Sequence, residues 1–174
     1  MVIWLVGMSG AGKSTIGRCL YSNLRKNKPG TVFVDGDEIR SLFNHDKVDD
    51  AYTLAGRKIN AKRIQSICRW LDAQGLNVVC CILSIFQDIS DENRDIFSEY
   101  REIFIDVPLS VLMERDNKGI YQAALSGLQC NVVGVDIEYF PPEYPDLVIL
   151  NSFEEVLLPE YVNSIINLCE REVK

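Results

Sequence analysis

Short apolar runs alternate with longer amphipathic stretches along this chain, the pattern of a parallel sheet wrapped by helices. The runs Val2–Val6, Thr31–Val34, Leu76–Leu83, Glu102–Asp106 and Leu147–Leu150 are rich in Val, Ile, Leu and Phe and show little polar alternation. Strands covered on both faces read this way, so the expectation is an α/β fold: a five-stranded parallel sheet with helices on both faces. Between the strands, Ile16, Leu20 and Leu24 share one stripe of a helix over Lys13–Lys26, away from Arg18, Arg25 and Lys26. Leu54–Gln74 is the longest helical stretch, with Ile59, Ile64, Ile67 and Leu71 toward the core, Arg57, Asn60 and Arg63 on another side, and Gly75 as the stop. Glu154–Glu172 closes the chain in two helical pieces, because Pro159 starts or kinks a helix rather than sitting inside one.

One segment breaks the alternation. Between residues 116 and 145 the chain carries Gly119, Gly127, Gly134, Pro141, Pro142 and Pro145 among charged and aromatic residues, with a short helix near Ile120–Ser126. An irregular stretch of this length in a compact fold is a functional lid or a linker, and its place before the last strand favours a lid.

Composition narrows the class. With 174 residues, 47% apolar and 25% charged, the chain reads as one folded domain over residues 1–174 and excludes intrinsic disorder. No apolar run approaches the roughly 20 residues of a membrane-spanning helix. Met1–Val6 has neither basic flank nor cleavage site, so it reads as a buried strand, and the cytoplasm is the expected compartment. The net charge of −7, from 18 Lys and Arg against 25 Asp and Glu, argues against a nucleic-acid partner, which needs a basic surface; any phosphate is held locally. Six cysteines with no CxxC pair and a single histidine, His45, give no support to a zinc site. Buried reduced thiols are expected, Cys80 and Cys81 above all.

The strongest chemical signal is Gly7-Met8-Ser9-Gly10-Ala11-Gly12-Lys13-Ser14, a full GxxxxGK[ST] between an expected strand and an expected helix. Its glycines let successive N–H groups turn toward phosphate oxygens, Lys13 adds a point charge at the β/γ phosphates, and Ser14 can ligate Mg²⁺. Triphosphate binding follows, with Gly7, Ser9, Gly10, Ala11, Gly12, Lys13, Ser14 and Thr15 as contacts. Val34-Asp35-Gly36-Asp37-Glu38-Ile39-Arg40 ends the second strand at the sheet edge where ligands sit. Asp35 and Asp37 suit a base and a hydroxyl-orienting or magnesium-shell group, and Arg40 suits an anionic acceptor; the plainer alternative is that one of them only caps a helix. In Glu114–Gly119, Arg115 and Lys118 sit beside a glycine hinge, as a loop would that closes over ATP and stabilises a transferring phosphoryl group.

GMSGAGKST, VDGDEIR, RKINAKR, ERDNKGIY and GVDIEYFPPEYPDL resemble, in order and spacing, the adenylylsulfate kinase family over nearly the whole chain. The resemblance implies a P-loop kinase that uses MgATP to phosphorylate the ribose 3′-hydroxyl of a 5′-modified nucleotide. It implies Lys13, Asp35, Asp37, Arg115 and Lys118 as catalytic residues and Ser14 at the metal. It also implies Arg115 on ATP and Asp37, Arg40, Tyr52, Arg57, Asn60, Ser84, Lys118 and Val132 around the acceptor. In that family two aromatic rings hold the acceptor adenine. Tyr52 stands at the first position, whereas Val132 replaces the second, and Gln87 stands where the family's Ser-Pro-x-Arg loop has arginine. These departures point to the branch of the family that phosphorylates cytidine diphosphoramidate for capsule phosphoramidate synthesis. Adenylylsulfate is the alternative acceptor, and an inactive ATP-binding regulatory module or a nucleoside monophosphate kinase is the rival class. Small-molecule nucleotides are the expected partners, and a homodimer stays open as the assembly.

Overall fold

The computed structural model describes residues 1–170. Strand β1 (Val2–Val6) is the centre of a five-stranded, all-parallel sheet. With β2 (Thr31–Asp35), β3 (Asn77–Ile82), β4 (Tyr100–Asp106) and β5 (Leu147–Leu150) the order is β2-β3-β1-β4-β5. Trp4 lies level with Cys80 on one neighbour and Glu102 on the other.

Every β1 side chain is buried, and alternate residues feed two separate cores. Ile3 and Leu5 join Val79, Ile103 and Ile105 beneath α1 (Lys13–Asn27) and α7 (Leu158–Glu170), whose Ile16, Leu20, Val162 and Ile165 close that side. Val2, Trp4 and Val6 join Val78, Ile82 and Phe104 beneath α3 (Leu54–Asp72) and α4 (Gln87–Ile96), which contribute Ile64, Cys68 and Ile89. Burying a side chain of this size stabilises by about 1.5–3 kcal/mol, and a strand that feeds both cores has no room for the polar alternation of a one-sided sheet.

The strand set is the expected one, with ends shifted by one or two residues. Three helices had no expected bounds: α2 (Gly36–Leu42), whose cap was one of the two readings of Asp35 and Asp37, α4 and α5 (Leu109–Arg115). Each is short, and α4 reads QDISDENRDI, with Ile89 its one fully buried hydrophobic side chain. The helix in the lid, α6, covers Ile120–Leu125. A 3₁₀ turn at Glu155–Leu157 precedes α7 and puts Pro159 in the first helical turn, as its missing N–H requires; the expected end at Glu172 lies outside the described residues.

Two expectations need correction. On α3 the buried face runs through Gly56, Asn60, Ile64 and Cys68, while Ile59 is 46% exposed; the polar residue is inside because it reaches the backbone of α2, as described below. Among the cysteines, all free, Cys68, Cys80 and Cys81 are buried, but Cys130 is exposed in the glycine-punctuated segment after α6, which has no apolar cover. No helix among the described residues is long and apolar enough to cross a membrane.

Candidate active site

Parallel strands bring their C-terminal ends to one edge, and ligands of open α/β sheets sit there. The β1–α1 loop, Asp35 at the end of β2, Ser84 after β3 and Asn151 after β5 all lie at this edge. The loop Gly7–Gly12 turns through positive φ at Gly10 and Gly12 and delivers Lys13 as the first residue of α1. Gly12 has a second reason to lack a side chain: a Cβ there would stand 2.5 Å from Asn151 Nδ2. That amide donates to the Ala11 carbonyl at 2.8 Å, and the Tyr121 hydroxyl donates to the Ser9 carbonyl at 2.8 Å, so the loop is held from both flanks.

The Lys13 ammonium donates to the Met8 carbonyl at 2.7 Å. Burial pushes its pKa down to about 8, only partly opposed by Cys81, Asp37 and Asp35. Ser14 Oγ donates to Asp35 Oδ2 at 2.6 Å, while the other oxygen of Asp35 accepts from the Asp37 N–H at 2.9 Å and caps α2. Asp35 is therefore buried and engaged on both oxygens. No three His, Cys, Asp or Glu side chains among the described residues form a metal cage. A hydroxyl and a carboxylate side by side at a phosphate loop nonetheless fit Mg²⁺, which takes few protein oxygens and completes its shell with phosphate and water.

Asp37 is different. Its exposed carboxylate meets Lys118 from the lid at 2.9 Å. Protein around it strips away part of its water and pushes its pKa up, but the Lys118 ammonium, with Lys13 and Arg40 behind it, outweighs this and holds it below the ordinary carboxylate value. The same contact raises Lys118 against the lowering effect of its own burial. Arg115, at the other end of the lid hinge, lays its guanidinium 3.8 Å from the centroid of the Phe153 ring. Phe153 adopts φ 65° and its N–H donates to Asn151 Oδ1 at 3.0 Å, so one residue pair supports the phosphate loop and offers an aromatic face beside it. Asn151, Phe153 and Tyr121 were missed by sequence reasoning; the signal for the first two was their place directly after the last strand, at the ligand edge.

On the far side of α2, Arg40 is 7% exposed and Arg57 is half-buried. Arg40 donates to the Ala51 carbonyl, and Arg57 donates to the carbonyls of Tyr52 and Asn131 at 2.8 and 2.7 Å. Asn60 Nδ2 donates to the Gly36 carbonyl at 3.2 Å, which ties α3 to the start of α2. Arg40 Nε and Asn60 Oδ1 are buried with no partner, and such groups are costly unless something satisfies them. Tyr52 is 40% exposed beside the arginines, and Ser84 is buried after β3. Val132 is not brought to this surface: it is 3% exposed inside the α1-side core, with its N–H held by Asp136. Gln87 begins α4, donating to Asp91 at 2.9 Å and accepting from the Glu143 N–H at 3.3 Å, so it clips the end of the lid.

A phosphate loop, a carboxylate within reach of it, the cations Arg115 and Lys118 and a clustered pair of arginines at one sheet edge define a P-loop phosphotransferase. The adenylylsulphate kinase family model matches residues 1–150, and the chain belongs to that family. It is 41% identical over 151 residues to the cytidine diphosphoramidate kinase of Campylobacter jejuni, covering 87% of this chain and 86% of that one. It is 34% identical over 167 residues to the adenylyl-sulfate kinase of Gloeothece citriformis, covering 96% and 92%. Among solved structures, the Mycobacterium tuberculosis APS kinase CysC in complex with AMPPNP and APS superposes with a TM-score of 0.85 at 27% identity, covering 98% of this chain and 97% of that one.

Proposed function

We propose that the protein transfers the γ-phosphoryl group of ATP to the ribose 3′-hydroxyl of cytidine diphosphoramidate in the cytoplasm. The observation that carries the choice of acceptor is the 41% identity with the Campylobacter jejuni cytidine diphosphoramidate kinase, against 34% with the Gloeothece citriformis adenylyl-sulfate kinase over a similar span.

In this reading the two carboxylates divide the work. Asp35, engaged on both oxygens, holds Ser14 and the start of α2. Asp37, exposed and hydrogen-bonded to Lys118, faces the acceptor hydroxyl. When Lys118 turns to the donor phosphates, Asp37 loses the partner that keeps it acidic and is free to take the hydroxyl proton. The 3′-oxygen then bonds to the γ-phosphorus, the bond from that phosphorus to the β–γ bridging oxygen breaks, and ADP leaves with that electron pair. Lys13 and Arg115 offset charge on the phosphates. Ser14 and Asp35 are the residues that would hold Mg²⁺, which neutralises phosphate charge when bound. Arg40 and Arg57 take the anionic 5′ portion of the acceptor, which gives the buried Arg40 Nε an acceptor, and Asn60 Oδ1 is left to accept from a donor group of the acceptor.

Adenylylsulfate is the second reading, favoured by the family match and by the likeness to the APS-bound mycobacterial structure. Incubation with ATP and each acceptor, with phosphorus NMR to locate the new phosphate, separates the two and also exposes transfer to a 5′-phosphate.

A further inference from the structure

We propose that Tyr121 and Asn151 are positioning residues for the phosphoryl donor: each holds one peptide of the Gly7–Gly12 loop so that the N–H after it faces the phosphates. This rests on the reading above that the loop takes the phosphates of ATP. A trans peptide is planar, so its C=O and the N–H that follows point in opposite directions. The Ser9 carbonyl accepts from the Tyr121 hydroxyl at 2.8 Å, and the Ala11 carbonyl accepts from Asn151 Nδ2 at 2.8 Å. The N–H groups turned the other way by these bonds are those of Gly10 and Gly12. Neither has an acceptor in the protein among the described residues.

These two peptides need holding. Rotating a peptide changes ψ of the residue before it and φ of the residue after it, and glycine accepts either sign of φ. Between Met8 and Lys13 only the Ser9–Gly10 and Ala11–Gly12 peptides end on glycine, at φ 79° and 95°. A rotated peptide would present a carbonyl oxygen to the phosphates, and repulsion would replace a charge-assisted hydrogen bond. The Met8 carbonyl is the contrasting case. It accepts from the Lys13 ammonium at 2.7 Å and from the Ala11 N–H at 3.2 Å. Phosphate draws that ammonium away, whereas a phenol and a carboxamide carry no net charge to follow it. Each clamp is itself fixed. Tyr121 is 2% exposed, and the Asp116 carboxylate accepts from the Tyr121 and Gln122 N–H groups at 3.2 and 2.8 Å at the start of α6. Asn151 follows β5, and its Oδ1 accepts from the Phe153 N–H at 3.0 Å, which leaves the amide nitrogen toward Ala11.

Amide NMR of the isotope-labelled protein titrated with ADP tests this, with affinity read by calorimetry on the same samples. In the native protein the Gly10 and Gly12 amide protons are expected to move downfield as phosphate binds. Tyr121→Phe keeps the buried ring and removes only the hydroxyl. It is expected to weaken ADP binding by roughly three- to tenfold and to shrink the Gly10 shift while the Gly12 shift persists. Asn151→Leu, or Asn151→Ala if the leucine variant does not fold, is expected to shrink the Gly12 shift and spare that of Gly10. Native affinity with an unchanged Gly10 shift in Tyr121→Phe would overturn the proposal. Equal losses at both glycines in each variant, the mark of a general loosening of the loop, would overturn it too. A native protein that does not bind ADP would instead remove the donor-site reading, and this proposal with it.

Discussion

The two aspartates in the Asp-Gly-Asp turn differ by a single peptide in sequence and by their whole environment in space. Asp35 is buried with both oxygens engaged, and Asp37 is exposed and paired only with a lid lysine. Asp37→Asn should therefore cut kcat by roughly 10²–10⁴-fold with ATP affinity near native, whereas Asp35→Asn should weaken ATP binding and lower thermal stability, since it disturbs Ser14 and the α2 cap. Steady-state kinetics beside a thermal melt distinguishes them. Lys13 gives a pH-dependent test. Its pKa of about 8 in the free protein must rise when phosphate oxygens replace the Met8 carbonyl, because anions favour the charged form. Nucleotide binding then takes up protons near and above pH 8, and affinity falls as pH rises further. Calorimetry of ADP binding at pH 8.5 in two buffers of different ionisation enthalpy should show net uptake; equal observed enthalpies in the two buffers would contradict it.

At the scale of elements, what the sequence revealed depended on what each element asks of its residues. The phosphate loop was legible because its backbone demands glycine at fixed spacings, and β1 was legible because both its faces are buried. Helix α4 was not, since its hold on its neighbours is largely polar: Ser90 donates to buried Glu102 of β4 at 2.6 Å, and Asn93 accepts from Gln65 of α3 at 2.9 Å. Val132 shows the limit of a family resemblance, which aligns a position without revealing which way the backbone turns it; here Asp136 caps the turn and the side chain goes inward. Val132→Phe should thus overpack the core and cost roughly 1–3 kcal/mol of stability, read by denaturant unfolding, rather than create a stacking surface. The first turn of α3 makes a parallel prediction. A Cβ at Gly56 would stand 2.1 Å from the Asp50 carbonyl oxygen, so Gly56→Ala should displace the 50–52 segment that gathers Arg40 and Arg57 and raise the KM for the acceptor more than that for ATP.

Across the whole molecule, the proposed donor site is built on the loop after β1 at the centre of the sheet, and the proposed acceptor site on α2, α3 and the segment that reaches α2 through Lys118 and Asp37. That division would let one donor site serve relatives named for different acceptors. The decisive measurement is the ratio of kcat/KM for cytidine diphosphoramidate to that for adenylylsulfate at saturating MgATP, with the product's phosphate located by NMR. Transfer to the 3′-hydroxyl with a ratio above about ten, equivalent to roughly 1.4 kcal/mol of transition-state binding, is the result expected of a cytidine diphosphoramidate kinase; a ratio below one, or a product phosphorylated anywhere else, would contradict that function.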